Sequence, residues 1–420
     1  MIRRELHPTG LRLVTEAMPH VRSVSIGVWL IRGSRHESDA RSGIAHFVEH
    51  MLFKGTENRS AEDIAQEIDS IGGHLDAFTS KEYAGYYIKV LDEHLPKAVD
   101  LLSDIVRRPR FAPDDIEKEK KVILEEIKMV EDTPDDLVHE ILTEHYWQGH
   151  ALGRPILGVP ATVEALSEKA LTNYFSETYV ASNFIVSAAG NLDHDRLSAL
   201  IGEAFGGVRK TGPAVDGGGP SDSGGVIIRE KDLEQSHVAI AAHGFPQGHD
   251  DRFASYVLNT VFGGSMSSRL FQNIREKRGL AYAVFSGLSA YRDAGMLTVY
   301  AGCAAESVGE VIDLVVEEMR GMKREAITGA ELRRSKDHLK GSLMLGLEST
   351  SSRMTHLARQ DIYFDRHDTL DETLARIEAV TADDVQRVAA HLFANGSLGV
   401  TVLGPDTKGL SLPPARLDLA

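Results

Sequence analysis

Two histidines and a glutamate stand within the five residues His46-Phe47-Val48-Glu49-His50. Residues four apart share one face of an α-helix, so His46 and His50 are spaced to bind one metal ion together. Glu49 follows His46 by three residues and lies on the same side, where its carboxylate can take a proton from a metal-bound water. Imidazole ligands beside a carboxylate suit Zn²⁺, which acidifies its bound water. The same pattern also fits a helix with two structural histidines and a solvated glutamate, so a third ligand has to decide.

The charged segment 117–127 offers candidates for that third ligand. Its central Val-Ile-Leu run is apolar, so we expect a partly buried helix, and a buried carboxylate on it needs a partner. Glu119 and Glu126 are seven residues apart and share a face, whereas Glu125 points roughly 100° away from Glu126. We therefore predict Glu126 as the third ligand and Glu119 as its supporting partner. One Zn²⁺ per chain would then be held by His46, His50 and Glu126. A charged, solvated helix face remains the interpretation for the other charged residues, Glu117, Lys118, Lys120 and Lys121.

Hydrophobic periodicity places these residues on regular elements. The histidines lie in a helical pattern at 42–54, and Pro113 starts the helix that carries the glutamates and runs to about residue 130. Between them we predict an amphipathic helix at 61–71, strands at 74–79 and 85–90, and a helix at 95–107. The single cysteine, Cys303, lies in an apolar strand pattern and is interpreted as a core residue.

The two halves of the chain resemble each other. Residues 163–167 (VEALS) match residues 377–381 (IEAVT), and the same offset places Gly190 on Gly404, each at the end of an apolar strand pattern. We predict an α+β protein of two homologous domains formed by internal duplication, each a mixed, mainly antiparallel sheet packed against helices. A segment rich in Gly, Pro, Ser and Asp at 209–225 is interpreted as a linker. It separates a zinc-binding catalytic domain at 1–208 from a homologous domain at 226–420 that lacks the metal motif.

The composition excludes several classes of protein. The chain has 420 residues with 62 acidic and 46 basic side chains, and its formal charge of −16 disfavours nucleic acid and anionic lipid as partners. No apolar run reaches the roughly 18 residues of a membrane helix, and the start lacks the apolar region of a secretory signal. One cysteine cannot form an intramolecular disulfide and fits a reducing compartment. We expect a cytoplasmic protein that binds neither nucleic acid nor membranes.

The inverted motif His46-x-x-Glu49-His50, with Glu126 further along the chain, is the zinc motif of the inverzincins. Over nearly its whole length the chain resembles the pitrilysin/insulinase-type metallopeptidases, and among them the bacterial relatives of the mitochondrial processing peptidase β-subunit. The resemblance implies that Glu49 is the general base. It also implies that Glu119 supports catalysis without binding the metal directly.

The resemblance implies two elements that hold the substrate. Residues 72–80 resemble the family's edge strand, which binds an extended peptide as an added strand and would use Ala77, Phe78 and Thr79. Residues 275–282 resemble its arginine–tyrosine segment, which would make the second domain substrate-contacting. There Arg275 can grip a peptide carbonyl and Tyr282 can donate to the oxyanion. Without the resemblance, the residues favour an ordinary hairpin strand, a surface arginine and a core tyrosine.

These inferences converge on a zinc-dependent endopeptidase that acts on short or unfolded polypeptides. Long family members form a closing chamber from four such domains, so the resemblance implies that this two-domain chain forms a homodimer with composite active sites. One alternative is a non-catalytic core or processing-type interaction subunit of the same fold, and the complete set of metal ligands argues against it. The other is a zinc hydrolase of small amides, and two large domains with an edge strand argue against that.

Overall fold

The computed structural model describes residues 2–213 and 217–420. In this part of the chain the strands are β1 (Ile2–Leu6), β2 (Arg12–Ala17), β3 (Ser23–Leu30), β4 (His74–Thr79), β5 (Ala84–Leu91), β6 (Phe184–Gly190), β7 (Gly225–Glu230), β8 (Ser236–Gly244), β9 (Ala281–Ala290), β10 (Gly295–Cys303) and β11 (Gly399–Gly404). The α-helices are α1 (Ile44–Leu52), α2 (Ala61–Ser70), α3 (Leu95–Arg107), α4 (Pro113–Asp132), α5 (Pro134–Tyr146), α6 (Pro160–Ala165), α7 (Glu168–Thr178), α8 (His194–Phe205), α9 (Arg252–Phe262), α10 (Val308–Arg324), α11 (Gly329–Gly346), α12 (Thr350–Phe364), α13 (Leu370–Ala379) and α14 (Ala382–Leu392). The helices and strands predicted between residues 42 and 130 are all present, with ends that differ by a few residues.

The chain divides into two compact units. Unit 1 consists of the described residues of 1–129, 154–217 and 345–367, and unit 2 of those of 130–153, 218–344 and 368–420. The predicted domains at 1–208 and 226–420 follow the order of the chain and stay predictions. The predicted linker at 209–225 falls partly on Ala214, Val215 and Asp216, which lie outside the described residues.

Unit 1 is built on a six-stranded sheet of order β1-β2-β6-β3-β5-β4. Strands β2 and β6 are parallel, and the other neighbours are antiparallel. One face of the sheet packs against helices that include α1 and α3, in a core of buried apolar side chains. Helix α12 packs on the other face, where its Met354 and Leu357 meet Trp29 and Ile185. A helix from residues 350–364 thus completes the unit that carries the predicted metal ligands.

Unit 2 repeats this plan with a five-stranded sheet of order β7-β11-β8-β10-β9. Strands β7 and β11 are parallel and the other pairs antiparallel, so the sheet reproduces the last five strands of the first sheet in the same order and sense. Helix α5 packs on one face against β8 and β11. The other face forms the main core of the unit, where Cys303 is buried as predicted. The α+β class, the duplication and the mainly antiparallel sheets are confirmed.

Among the described residues, no helix combines the length and the apolar character needed to cross a bilayer.

Candidate metal centre

Helix α1 carries three of the predicted site residues, His46, Glu49 and His50. The helix starts at a close approach of two turns: Gly43 has φ 94°, and a Cβ at this position would lie 2.6 Å from the carbonyl oxygen of Leu157. The other six residues of the helix are all buried, and each large apolar side chain among them contributes roughly 1.5–3 kcal/mol. The core therefore holds the helix in place while its polar stripe stays partly accessible.

Helix α4 supplies the carboxylates from one row of side chains. Glu119 and Ile123 are among its few buried residues, and Glu126 continues their row. The side chain of Glu126 is 34% exposed, whereas that of Glu125 is 69% exposed and pairs with Lys128 at 2.7 Å. Glu126 therefore points toward α1 and Glu125 toward solvent, the orientation expected from the helical spacing.

Three side chains meet between the two helices. Nitrogen and oxygen atoms of His46, His50 and Glu126 all lie within 4.8 Å of one another, and among the described residues this is the only His, Cys, Asp or Glu group of that kind. Glu126 Oε2 is 3.7 Å from His46 Nε2 and 3.6 Å from His50 Nε2. These distances exceed those of hydrogen bonds and approach the spacing of ligands around one ion.

The protonation of the site suits a cation. Burial, with a smaller effect of the neighbouring His50, lowers the pKa of His46 to about 3, so its imidazole is neutral and can donate a lone pair. Oε2 of Glu126 is buried and has no hydrogen-bond partner in the described part of the chain. A buried carboxylate oxygen without a partner is costly, and a bound cation would recover that cost. The donors present, two imidazoles and one carboxylate, fit Zn²⁺.

Glu119 orients one of the two imidazoles. Its Oε2 lies 3.0 Å from His50 Nδ1, and its Oε1 lies 2.8 Å from Lys54 Nζ. The Glu119 carboxylate accepts a hydrogen bond from Nδ1–H of His50. The lone pair of His50 is then on Nε2, which is directed to the side where Glu126 lies. These contacts fit the supporting role predicted for Glu119, and the role itself stays a prediction. The sequence analysis does not predict Lys54 at this site, although Lys54 follows His50 by four residues, a spacing that brings side chains together on a helix.

Glu49 lies beside the three-residue group and outside it. Its Oε2 accepts a hydrogen bond of 2.5 Å from the hydroxyl of Thr79, on strand β4. Burial raises the pKa of Glu49, and the hydrogen bond from Thr79 acts in the opposite direction. A carboxylate with a raised pKa near a metal site is suited to accept a proton from water.

The three predicted substrate residues on β4 point to different sides of the sheet. β4 is an edge strand, paired only with β5 in the described part of the chain. Ala77 packs against the core that contains α1, and Thr79 reaches Glu49. The ring of Phe78 lies on the opposite face, 5.9 Å from that of Trp29. The side chain of Phe78 is thus directed away from Glu49, while its backbone remains part of the edge.

In unit 2, Arg275 and Tyr282 contact each other. Arg275 lies in a π-helical turn, and its guanidinium carbon is 4.8 Å from the ring centroid of Phe271 and 4.7 Å from that of Tyr282. Tyr282 is 82% exposed, so its interpretation as a core residue is wrong. The cause is a bulge: Gly302 pairs with Ala283 and Cys303 with Ala281, which leaves Tyr282 unpaired on β9.

The helix geometry yields a paired prediction for metal binding. Glu126→Gln is expected to weaken zinc affinity by on the order of 100-fold or more, because a ligand matters at least as much as the groups that orient ligands. Glu125→Gln is the matched control on the same helix and is expected to leave the affinity unchanged. Zinc per chain is measured by elemental analysis after dialysis against buffered zinc. Loss of zinc from Glu125→Gln, with Glu126→Gln unaffected, would show that the ligand is misassigned.

Two family models and a set of known proteins match most of the chain. Residues 12–159 match the family described as Insulinase (Peptidase family M16), and residues 165–339 match the Peptidase M16 inactive domain. The chain is similar to a Bacillus subtilis protein named "Uncharacterized zinc protease YmxG", with 43% identity over 393 residues that cover 94% of this chain and 96% of that protein.

Two solved structures share the fold. A protease from Helicobacter pylori superposes with a TM-score of 0.89 at 22% identity, covering 96% of this chain and 99% of that one. A chain of complex III from Candida albicans superposes with a TM-score of 0.87 at 21% identity and covers both chains fully. The second likeness shows that a chain of that complex has the same fold.

Proposed function

This chain belongs to the insulinase-type M16 peptidase family, and from that premise we propose that it is a zinc-dependent endopeptidase of short or unfolded polypeptides. One observation carries the proposal: His46, His50 and Glu126 converge within 4.8 Å, with Glu49 beside them and bound to none of them. A chain kept only for its fold would have no need for this complete arrangement.

His46, His50 and Glu126 are the residues that would hold Zn²⁺. When bound, zinc would polarise the scissile carbonyl and acidify the attacking water. His46 and Glu126 suit this role because the imidazole is neutral and the carboxylate has an oxygen, Oε2, without a hydrogen-bond partner in the described part of the chain. Glu119 keeps His50 in the required tautomer through its contact with Nδ1.

Glu49 transfers the protons. It accepts one from the attacking water and returns it to the amine that leaves as the peptide bond breaks. Thr79 directs this step, because its hydroxyl occupies one carboxylate oxygen of Glu49 and leaves the other for the water. The raised pKa of Glu49 favours the first of these two transfers, because a carboxylate with a higher pKa binds the proton taken from water more tightly.

Strand β4 is the surface that would bind the substrate. Its free edge can pair with the backbone of an extended peptide, which brings a carbonyl near Glu49 because Thr79 belongs to the same strand. Backbone pairing at Ala77, Phe78 and Thr79 tolerates many sequences and requires an extended chain. This requirement is the reason for proposing short or unfolded polypeptides as substrates.

The active unit in this proposal is a homodimer with composite sites. Arg275 and Tyr282 of one chain would complete the zinc site of the partner, with Arg275 binding a substrate carbonyl and Tyr282 donating to the oxyanion. The exposure of Tyr282 and its contact with Arg275 support a role at a surface. The expectation of a dimer itself comes from the family resemblance.

The test is hydrolysis of a reduced, alkylated polypeptide by the purified protein. We expect cleavage that stops with a zinc chelator and returns with added Zn²⁺ but not Mg²⁺, whereas the same polypeptide in its folded form stays intact. Cleavage that continues after verified zinc removal would contradict the proposal. If the zinc-loaded protein cleaves no peptide, the non-catalytic alternative holds, and if it cleaves only small amides, the amidase alternative holds.

A further inference from the structure

Helix α1 begins at a residue that cannot cap it. Its N-cap is Gly43, which has no side chain to accept hydrogen bonds from the first backbone N–H groups. The acceptor comes instead from Glu37, six residues earlier. Glu37 Oε2 accepts from the N–H of Gly43 at 2.9 Å, and Oε1 accepts from the N–H of Ala45 at 2.7 Å. Both carboxylate oxygens are therefore engaged by the first turn of the helix.

The segment that carries Glu37 is itself fixed. Arg154 donates to the backbone carbonyl of Glu37 at 2.6 Å and to the carboxylate of Asp39 at 2.5 Å. Lys81 in turn donates to the backbone carbonyl of Arg154. The side chain of Glu37 is enclosed, since the residue is only 8% exposed. Glu37 thus connects this hydrogen-bonded loop of unit 1 to the start of α1.

The environment of Glu37 makes its charge costly. Burial raises its pKa from 4.5 to about 7, against the opposing effects of the Ala45 and Gly43 amides, Arg154 and Lys81. Because the pKa of Glu37 is higher in the folded protein than in the unfolded chain, the free energy of unfolding falls as the pH rises from 4.5 to about 7. Groups whose pKa values are strongly shifted by their surroundings concentrate at functional sites.

We propose that Glu37 is a positioning residue for the metal centre: its carboxylate fixes the first turn of α1 and thereby the placement of His46 and His50. Ala45, which it binds, directly precedes His46. A shift of this turn moves His46 relative to Glu126, which lies on a different helix, so the three donors no longer converge. This inference rests on the proposed zinc site and adds a residue outside it.

The test compares Glu37→Gln with Asp104→Asn. Glutamine keeps one acceptor for the two N–H groups and loses the charge. Asp104 is the control: it is a buried acid of unit 1 that accepts hydrogen bonds from Thr56, Asn58 and Arg59 and has no part in the metal centre. Three properties are measured on the folded proteins: zinc affinity by chelator competition, the visible spectrum of the Co²⁺ form, and kcat separately from KM.

A positioning role and a purely structural role predict different results in these measurements. Glu37→Gln is expected to weaken zinc affinity by about 10- to 100-fold, as for groups that orient ligands, to change the Co²⁺ spectrum and to lower kcat with KM nearly unchanged. Asp104→Asn is expected to lower the melting temperature and to leave zinc affinity and the spectrum unchanged. Wild-type affinity and spectrum in Glu37→Gln would overturn the inference.

Two further outcomes keep the inference separate from the proposed function. If Glu37→Gln does not fold, Glu37→Asp carries the test, since it keeps the charge and is too short to reach both N–H groups. Failure of both to fold would overturn the inference, because Glu37 would then serve folding as a whole. A wild-type protein that binds no zinc would contradict the proposed function. An active wild type, together with a Glu37→Gln protein that binds zinc equally tightly, would contradict this inference alone.

Discussion

Replacing Glu49 with glutamine is expected to lower kcat by about 10³-fold while zinc stays bound in full. Glutamine is nearly the same shape but cannot accept a proton, and general base catalysis contributes about 10²- to 10⁴-fold. Zinc remains because Glu49 is hydrogen-bonded to Thr79 and is not among the three converging donors. Hydrolysis of a fluorogenic peptide and elemental analysis on the same sample check both parts.

The control for this variant is Glu125→Gln, a solvent-exposed glutamate on α4. It is expected to retain both activity and zinc. A Glu49→Gln protein that is inactive and has also lost its metal would show that Glu49 is a ligand, and the division of roles between Glu49 and Glu126 would have to be reversed.

Mixing two inactive variants is expected to restore activity. One chain carries Glu49→Gln, and the other carries Arg275→Ala with Tyr282→Phe. In the proposed dimer, each mixed pair has one site with an intact Glu49 from one chain and an intact Arg275 and Tyr282 from the other. Random exchange in a two-fold dimer therefore yields about a quarter of the wild-type activity. Activity is measured against the mixing ratio, with a maximum expected at equal amounts.

Subunit exchange is verified in the same samples with two affinity tags. If the tagged chains co-purify and the mixture stays inactive, the sites are not shared between chains. A protein that is fully active as a monomer by light scattering would contradict the dimer directly. Neither result would affect the zinc site within unit 1.

The shared face of His46 and His50 and the choice of Glu126 over Glu125 could be predicted because both depend on local helix geometry. Two histidines four apart must share a face, and the spacing from Glu119 to Glu126 selects Glu126 over Glu125. That the two helices pack against each other could not be read from periodicity, and the prediction of Glu126 rested on the need for a third ligand and was supported by the family resemblance.

Contacts between distant segments could not be predicted in this way. The bond from Thr79 to Glu49 and the bonds from Glu37 to the start of α1 join residues whose closeness depends on how loops and strands pack. The bulge that exposes Tyr282 depends on how β9 pairs with β10. The sequence pattern, which favours a core tyrosine, therefore predicted the wrong face of the sheet for this side chain. Glycine at the N-cap of α1 was visible in the sequence but did not reveal which acceptor replaces the missing side chain.

The composition of the two units also lies beyond sequence patterns. Helix α12, at residues 350–364, packs on the sheet of unit 1, and helix α5, at residues 134–146, packs on the sheet of unit 2. Both helices have apolar residues suited to cover a sheet, and the pattern alone does not say which sheet. Ion pairs such as Arg12 with Asp361 at 2.9 Å add to the specificity of the first contact.

Anomalous diffraction at the zinc absorption edge, from crystals of the zinc-loaded protein, tests the central claim most directly. The account predicts one strong peak per chain at about 2.0–2.2 Å from a nitrogen of His46, a nitrogen of His50 and a carboxylate oxygen of Glu126, with Glu49 outside bonding distance. A peak that contacts other residues, or no peak at this position in a protein that hydrolyses peptides, would contradict it.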